Sequence, residues 1–137
     1  MRLTSFTDFA LRTLMRLAAD PDRAFTTEEI ALTYGISRNH LTKVVRELAQ
    51  AGFIETQRGA GGGMRLARPA ADIMLGAVVR RMEAQQPLVE CFRKHGGNCV
   101  MTVQCRLKAR LAQAREAFLA DLDRSSLADC AWAPALA

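Results

Sequence analysis

A four-residue break, Tyr34-Gly35-Ile36-Ser37, separates two short amphipathic stretches and leaves the middle of this chain few ways to fold. On its N-terminal side, Thr26-Thr27-Glu28-Glu29 has the form of a capping box, in which Thr26 and Glu29 satisfy each other's free amides. On its C-terminal side, Ser37 is placed to cap a helix whose apolar face is Leu41, Val44, Val45 and Leu48, closed by Ala51-Gly52. Two helices joined by such a turn form a helix-turn-helix pattern.

The neighbouring segments extend the pattern. Phe6, Ala10, Leu14 and Leu17 recur at helical spacing and predict a first helix from about Thr4 to Ala19, ended by Asp20-Pro21-Asp22. After the third helix, Phe53–Gln57 and Met64–Ala67 read as a strand and its return. The turn between them, Gly59-Ala60-Gly61-Gly62-Gly63, carries no bulk and can come close to a phosphate backbone. It lacks the Gly-Lys-Ser/Thr ending of a P-loop, which removes the nucleotide-loop reading. Three helices followed by a hairpin flanked by Arg58 and Arg65 is the order of a winged helix.

Beyond Pro69, Asp72–Glu83 predicts a further helix, and the stretch from Gln85 to Asn98, with Pro87 and Gly96-Gly97, predicts irregular structure. Leu107, Leu111, Ala114, Phe118 and Leu122 form a stripe along a long last helix expected from Thr102 to Leu122. A regular apolar stripe on a terminal helix needs a covering surface, and a second copy of the chain is the natural one. The expected fold is therefore mostly α with a small β-hairpin. A winged helix-turn-helix DNA-binding domain (1–83) precedes a loop (84–101), a dimerisation helix and a tail (102–137). The tail after Ser125 shows no usable pattern.

Half of the residues are apolar but only 6% are aromatic, so the core is expected to be aliphatic. The net charge is +5, and Ile36–Arg68 alone contributes +4, from six basic residues against two acidic ones. A polyanion is thus a fitting partner. The N-terminus lacks the apolar run and small-residue site of a signal peptide, and no stretch reaches transmembrane length. The expectation is a cytoplasmic protein whose thiols stay reduced.

Two constellations carry chemistry. On the third helix, Arg38, Asn39, His40 and Lys43 are expected to face outward, where Arg suits guanine edges, Asn adenine and Lys phosphates. Arg58, Gly59 and Arg65 at the wing would meet phosphates or the minor groove. The second constellation is Cys91, Cys99 and Cys105, spaced C-x7-C-x5-C. Zinc favours four ligands in tighter pairs, whereas iron–sulfur clusters are held by thiolates at looser spacing. A fourth ligand is then missing, with Cys130, His95, a carboxylate or a residue of a partner chain as candidates. A structural zinc protein and a redox enzyme are the alternatives of other classes. No paired acid/base or nucleophile arrangement supports an enzyme.

The segments LTSFTDFALRTLMRLA and TYGISRNHLTKVVRELAQAGFIETQRGAGGGMRLARPA, with the three-cysteine loop, resemble the Rrf family of iron–sulfur transcription regulators up to about residue 129. Ser5-Phe6-Thr7-Asp8 and Ser37-Arg38-Asn39-His40 are most similar to the nitric-oxide-sensing branch of that family. The resemblance implies an iron–sulfur cluster, 4Fe–4S with 2Fe–2S as the alternative, held by Cys91, Cys99 and Cys105. Asp8 from the other subunit would be the fourth ligand. It also implies a homodimeric repressor on a pseudo-palindromic DNA operator, released when nitric oxide reaches the cluster. A second branch carries histidine three residues after its last cysteine, where this chain has Lys108. An iron-sensing branch has a wider first cysteine gap and lacks the Asp8 signature. The nitric-oxide branch usually shows C-x5-C-x5-C, and this chain has two more residues between Cys91 and Cys99. That difference keeps an iron- or redox-sensing regulator as the alternative function.

Overall fold

The computed structural model describes residues 1–101 and 103–135. Helix α1 (Ser5–Ala19) begins where Thr4 caps it by accepting from the Thr7 amide. Helix α2 (Thr27–Tyr34) starts on the expected capping box, with Glu29 N donating to Thr26 Oγ1 at 3.1 Å and Thr26 N to Glu29 Oε2 at 2.7 Å. It stops at Gly35, whose φ of 64° is the left-handed conformation that most side chains resist. Ser37 then caps α3 (Arg38–Gln50) through the His40 amide, and the four predicted apolar residues are the four that α3 buries.

The hairpin follows, with β1 (Ile54–Gln57) antiparallel to β2 (Gly63–Leu66) and Ile54 opposite Leu66. A third segment adds to it. Phe25, just ahead of α2, exchanges two backbone hydrogen bonds with Met64, at 3.0 and 2.7 Å. Gly63 permits this approach, because a Cβ there would stand 2.6 Å from the Phe25 carbonyl oxygen. Ala10, Leu14 and Leu17 of α1, Ile30 of α2, Leu41, Val44 and Leu48 of α3, and Ile54 and Met64 of the hairpin form one mainly aliphatic core, to which Phe25 and Phe53 add two buried rings. Each fully buried leucine, isoleucine, valine or methionine among them contributes about 1.5–3 kcal/mol.

The second half departs from the periodic reading in three places. The helix expected over Asp72–Glu83 begins only at Leu75, as α4 (Leu75–Met82), and a short 3-10 turn (Ala70–Asp72) precedes it. Between them, Ile73 and Met74 are held extended because their backbone pairs with the tail: Leu127 N donates to Ile73 O and Leu75 N to Ser125 O. The last helix, α5, runs Arg106–Leu122 rather than from Thr102, which lies outside the described residues. It crosses α4 at Gly76, where a Cβ would meet the Asp123 carboxylate and the Leu119 carbonyl. Leu119, absent from the expected stripe, is the residue of α5 that is buried. On the stripe itself Leu107 is 62% exposed, Ala114 is exposed, and Leu111, Phe118 and Leu122 are only half-buried. The stripe is therefore only partly covered by its own chain.

The tail, patternless as sequence, is a structural element. Ser126 and Asp129 cap a 3-10 turn (Leu127–Cys130), Leu127 is fully buried, and Trp132 N donates to the Met15 carbonyl at 3.0 Å. Among the described residues, no helix is long and apolar enough to cross a membrane. Leu127→Ala is expected to cost about 2–5 kcal/mol, the range for a truncated buried leucine. Urea unfolding checks this, and a loss under 1 kcal/mol would mean that the tail is dispensable to the core.

Candidate nucleic-acid interface and thiol loop

Burying Leu41, Val44, Val45 and Leu48 turns the opposite side of α3 outward, and Arg38, Asn39 and Lys43 are exposed there. His40 is placed differently. Its ring meets Phe9 of α1 edge-on at 5.0 Å, lies 6.4 Å from the Phe6 ring, and is half-buried. It thus joins the first turn of α3 to α1. At the far end of α3, Glu47 accepts from Arg81 Nε at 2.7 Å, which bolts α4 to it.

The wing turn is closed by Gly62 N donating to Gly59 O at 2.9 Å, with Gly59 and Gly61 both at positive φ. A Cβ on Gly62 would stand 2.3 Å from the Gln57 carbonyl. Arg58 and Arg65 are exposed on either side, Arg65 directly across the ladder from Glu55. Arg68 instead lies over the Phe53 ring at 5.4 Å. The arrangement offers a cationic helix face and a turn of four glycines and one alanine flanked by two arginines, a shape suited to a phosphate backbone.

Asp8 stands in the first turn of α1, its carboxylate bridged to Arg12 at 2.8 Å and about half exposed. Such an i,i+4 pair at the surface contributes only a few tenths of a kcal/mol. A stronger tie holds the same turn. Glu83, at the end of α4, accepts on one carboxylate oxygen from Thr4 N (2.7 Å), Thr4 Oγ1 (2.9 Å) and Thr7 Oγ1 (2.6 Å). Thr7 is fully buried. Sequence reasoning missed this cluster because its members lie 76 and 79 residues apart and no local spacing marks them. On the other flank of α1, Tyr34 donates to the Arg12 carbonyl at 2.9 Å. Burial pushes its pKa up, partly offset by Arg16 and Arg12, so the hydroxyl stays a donor.

The loop after Glu83 carries the thiols. Cys91 lies in a 3-10 turn (Glu90–Phe92), Cys99 is exposed, Cys105 immediately precedes α5, and Cys130 is in the tail turn; no disulfide joins the four. The two ends of the Cys91–Cys99 arm are linked by Asn98 N donating to Glu90 Oε1 at 2.8 Å. Among the described residues, no three His, Cys, Asp or Glu side chains converge as a metal site would require. Three thiols in one loop match an iron–sulfur centre in the kind and number of donors. The loop does not gather them in this conformation.

Residues 3–132 match the model of the Rrf2 family, described as iron-dependent transcriptional regulators. The chain is 49% identical over 130 residues to the HTH-type transcriptional regulator NsrR of Geobacillus kaustophilus, covering 94% of this chain and 88% of that one. It is 46% identical over 130 residues to NsrR of Bacillus subtilis, covering 94% and 89%. Among solved structures it is similar to CymR, the global cysteine regulator of B. subtilis, with a TM-score of 0.75 and 25% identity over 96% of each chain. IscR from T. potens shares the fold, with a TM-score of 0.74 and 22% identity over 94% of this chain and 85% of that one. These relatives are regulators, not enzymes.

Glu83→Ala is expected to lower stability by about 1–3 kcal/mol, because it strands three donors at the start of α1. Glu83→Gln, which keeps an acceptor oxygen, should lose less. Urea unfolding of the two variants measures the difference, and equal stability of Glu83→Ala and the wild type would show the tie to be idle.

Proposed function

Because this chain belongs to the Rrf2 family of transcriptional regulators, we propose that it is a cytoplasmic, homodimeric repressor that senses nitric oxide through a 4Fe–4S cluster. The observation that carries this reading is the 45–49% identity to three NsrR regulators in a chain that presents three thiols and an exposed carboxylate, Asp8. Cys91, Cys99 and Cys105 would hold the cluster, with Asp8 of the second copy as the oxygen ligand. Bound there, the cluster supplies thiolate-held iron, with which a small diatomic such as nitric oxide reacts.

The chain's own residues do the rest. Arg38, Asn39 and Lys43 read the major groove, Arg58, Gly59 and Arg65 brace the flank, and His40 holds the reading helix at its angle to α1. The half-covered stripe of α5 is the surface for the second copy. Arg12 is a weak holder of Asp8, so that carboxylate can change partners at small cost. A change in the first turn of α1 reaches α3 through Phe6, Phe9 and His40. The coupling required is about 1–3 kcal/mol, which a few such contacts can supply.

The iron-dependent description of the family model and the wider Cys91–Cys99 gap favour one other reading, an iron- or redox-sensing regulator. Anaerobic purification, a visible spectrum and titration with nitric oxide separate the two. A nitric oxide sensor loses operator binding at nitric oxide stoichiometric with its cluster, and an iron sensor loses it on iron limitation. A colourless protein would sink both.

Two sets of variants test the residues. Arg38→Ala should cost about 1–3 kcal/mol on the specific operator, while Lys43→Ala should weaken all sequences alike and reduce the salt slope by about one. If neither variant changes binding in a fluorescence-anisotropy titration, α3 is not the reader. Replacing Cys91, Cys99 or Cys105 by Ala should each abolish the chromophore, and Cys130→Ala should leave it. Asp8→Ala should keep fold and dimer but alter the spectrum, lifetime or nitric oxide response of the cluster. An unchanged titration curve would remove Asp8 from the ligand set.

A further inference from the structure

The arm between Cys91 and Cys99 is longer than a tight metal loop needs, and eight residues of extended chain could span roughly 27 Å. Here it is folded back on itself. Arg93 N donates to Glu90 O at 3.0 Å, Gly96 N to Arg93 O at 2.8 Å, and Asn98 N to Glu90 Oε1 at 2.8 Å. Gly96 and Gly97 both take positive φ, 73° and 62°, which reverses the chain. Gly97 lies so close to Glu90 that a Cβ would stand 2.3 Å from Glu90 Cγ and 2.9 Å from its carbonyl oxygen. Glu90 therefore closes the turn twice, with its carbonyl and with its carboxylate. The residues it joins, 90 and 98, are the immediate predecessors of Cys91 and Cys99.

We propose that Glu90 is a positioning residue, a clamp that holds the Cys91 and Cys99 arms together so that the enlarged loop can present both thiolates to one metal centre. The physical basis is preorganisation. Closing a flexible loop costs chain entropy, and a bond across its base removes part of that cost before any metal arrives. Gly97 is the other half of the device, since any side chain there would push Glu90 away. The clamp acts through the cysteines and does not itself ligate. It rests on the reading of Cys91 and Cys99 as metal ligands.

The test uses the full-length chain in three forms: wild type, Glu90→Ala and Glu90→Gln. One arm measures the rate at which a ferrous chelator strips iron from the anaerobically purified protein. The other titrates the metal-free chain with cobalt(II) and follows the thiolate-to-cobalt charge-transfer band, a readout that needs no cluster. Loss of the clamp should speed iron release and weaken cobalt binding about tenfold in Glu90→Ala, the lower end of the range for a residue supporting metal ligands. Glu90→Gln should stay near wild type in both, because its amide oxygen can accept the same Asn98 N–H. Gly97→Ala should behave as Glu90→Ala, with far-UV circular dichroism unchanged. Wild-type behaviour of Glu90→Ala in both arms would overturn the proposal. So would a Glu90→Gln as deficient as Glu90→Ala, which would make the carboxylate a ligand. If the wild type binds no cluster but its cobalt affinity depends on Glu90 as described, the cluster reading fails while the clamp stands.

Discussion

One carboxylate oxygen of Glu83, taking hydrogen bonds from Thr4 and Thr7, ties the end of α4 to the start of α1. Much else hangs from α1. It buries its apolar side in the common core, meets α3 through Phe6, Phe9 and His40, and receives the tail on Met15. Because the bonds are charge-assisted and partly buried, they are stronger and more directional than the surface ion pairs elsewhere on the molecule. The thiol loop leaves the fold at the residue after Glu83, so its root and the Asp8 turn are fixed to one another by the same group.

This placement gives the proposed sensing a short mechanical path. Asp8 lies one turn along from Thr4, and Phe9, its neighbour, carries the edge of His40. Arg81 and Glu47 provide a second link between α4 and α3, at the opposite end of α3. The proposed reading helix is thus contacted near both ends, through its His40 by α1 and through its Glu47 by Arg81 of α4. A displacement at α1 or α4 of the kind that packed interfaces permit would tilt α3 as a unit rather than bend it.

The α5 helix shows why burial in one chain is an incomplete guide. Its most regular apolar stripe, from Leu107 to Leu122, is left only half-covered, while Leu119 beside it packs on its own domain. A helix that divides its apolar surface in this way leaves part of it open, and the proposed homodimer would bury that part.

What the amino-acid sequence alone determined depends almost entirely on residues within about four positions of each other. The Thr26–Glu29 capping box, the Ser37 cap, the stop at Gly35, the buried face of α3 and the glycine turn of the wing were all legible, because helix caps and hydrophobic periodicity are local. The three cysteines and the outward Arg38, Asn39 and Lys43 were legible as residue types at a spacing. Tertiary structure alone decided what depends on residues far apart in the chain. It set Ile73 and Met74 extended against the tail, seated Leu127 in the core, paired Phe25 with Met64, and turned His40 onto Phe9. It also brought Glu83 to Thr4 and Thr7. None of these has a sequence period, since each is a hydrogen bond or packing contact between segments that meet only after the chain has folded.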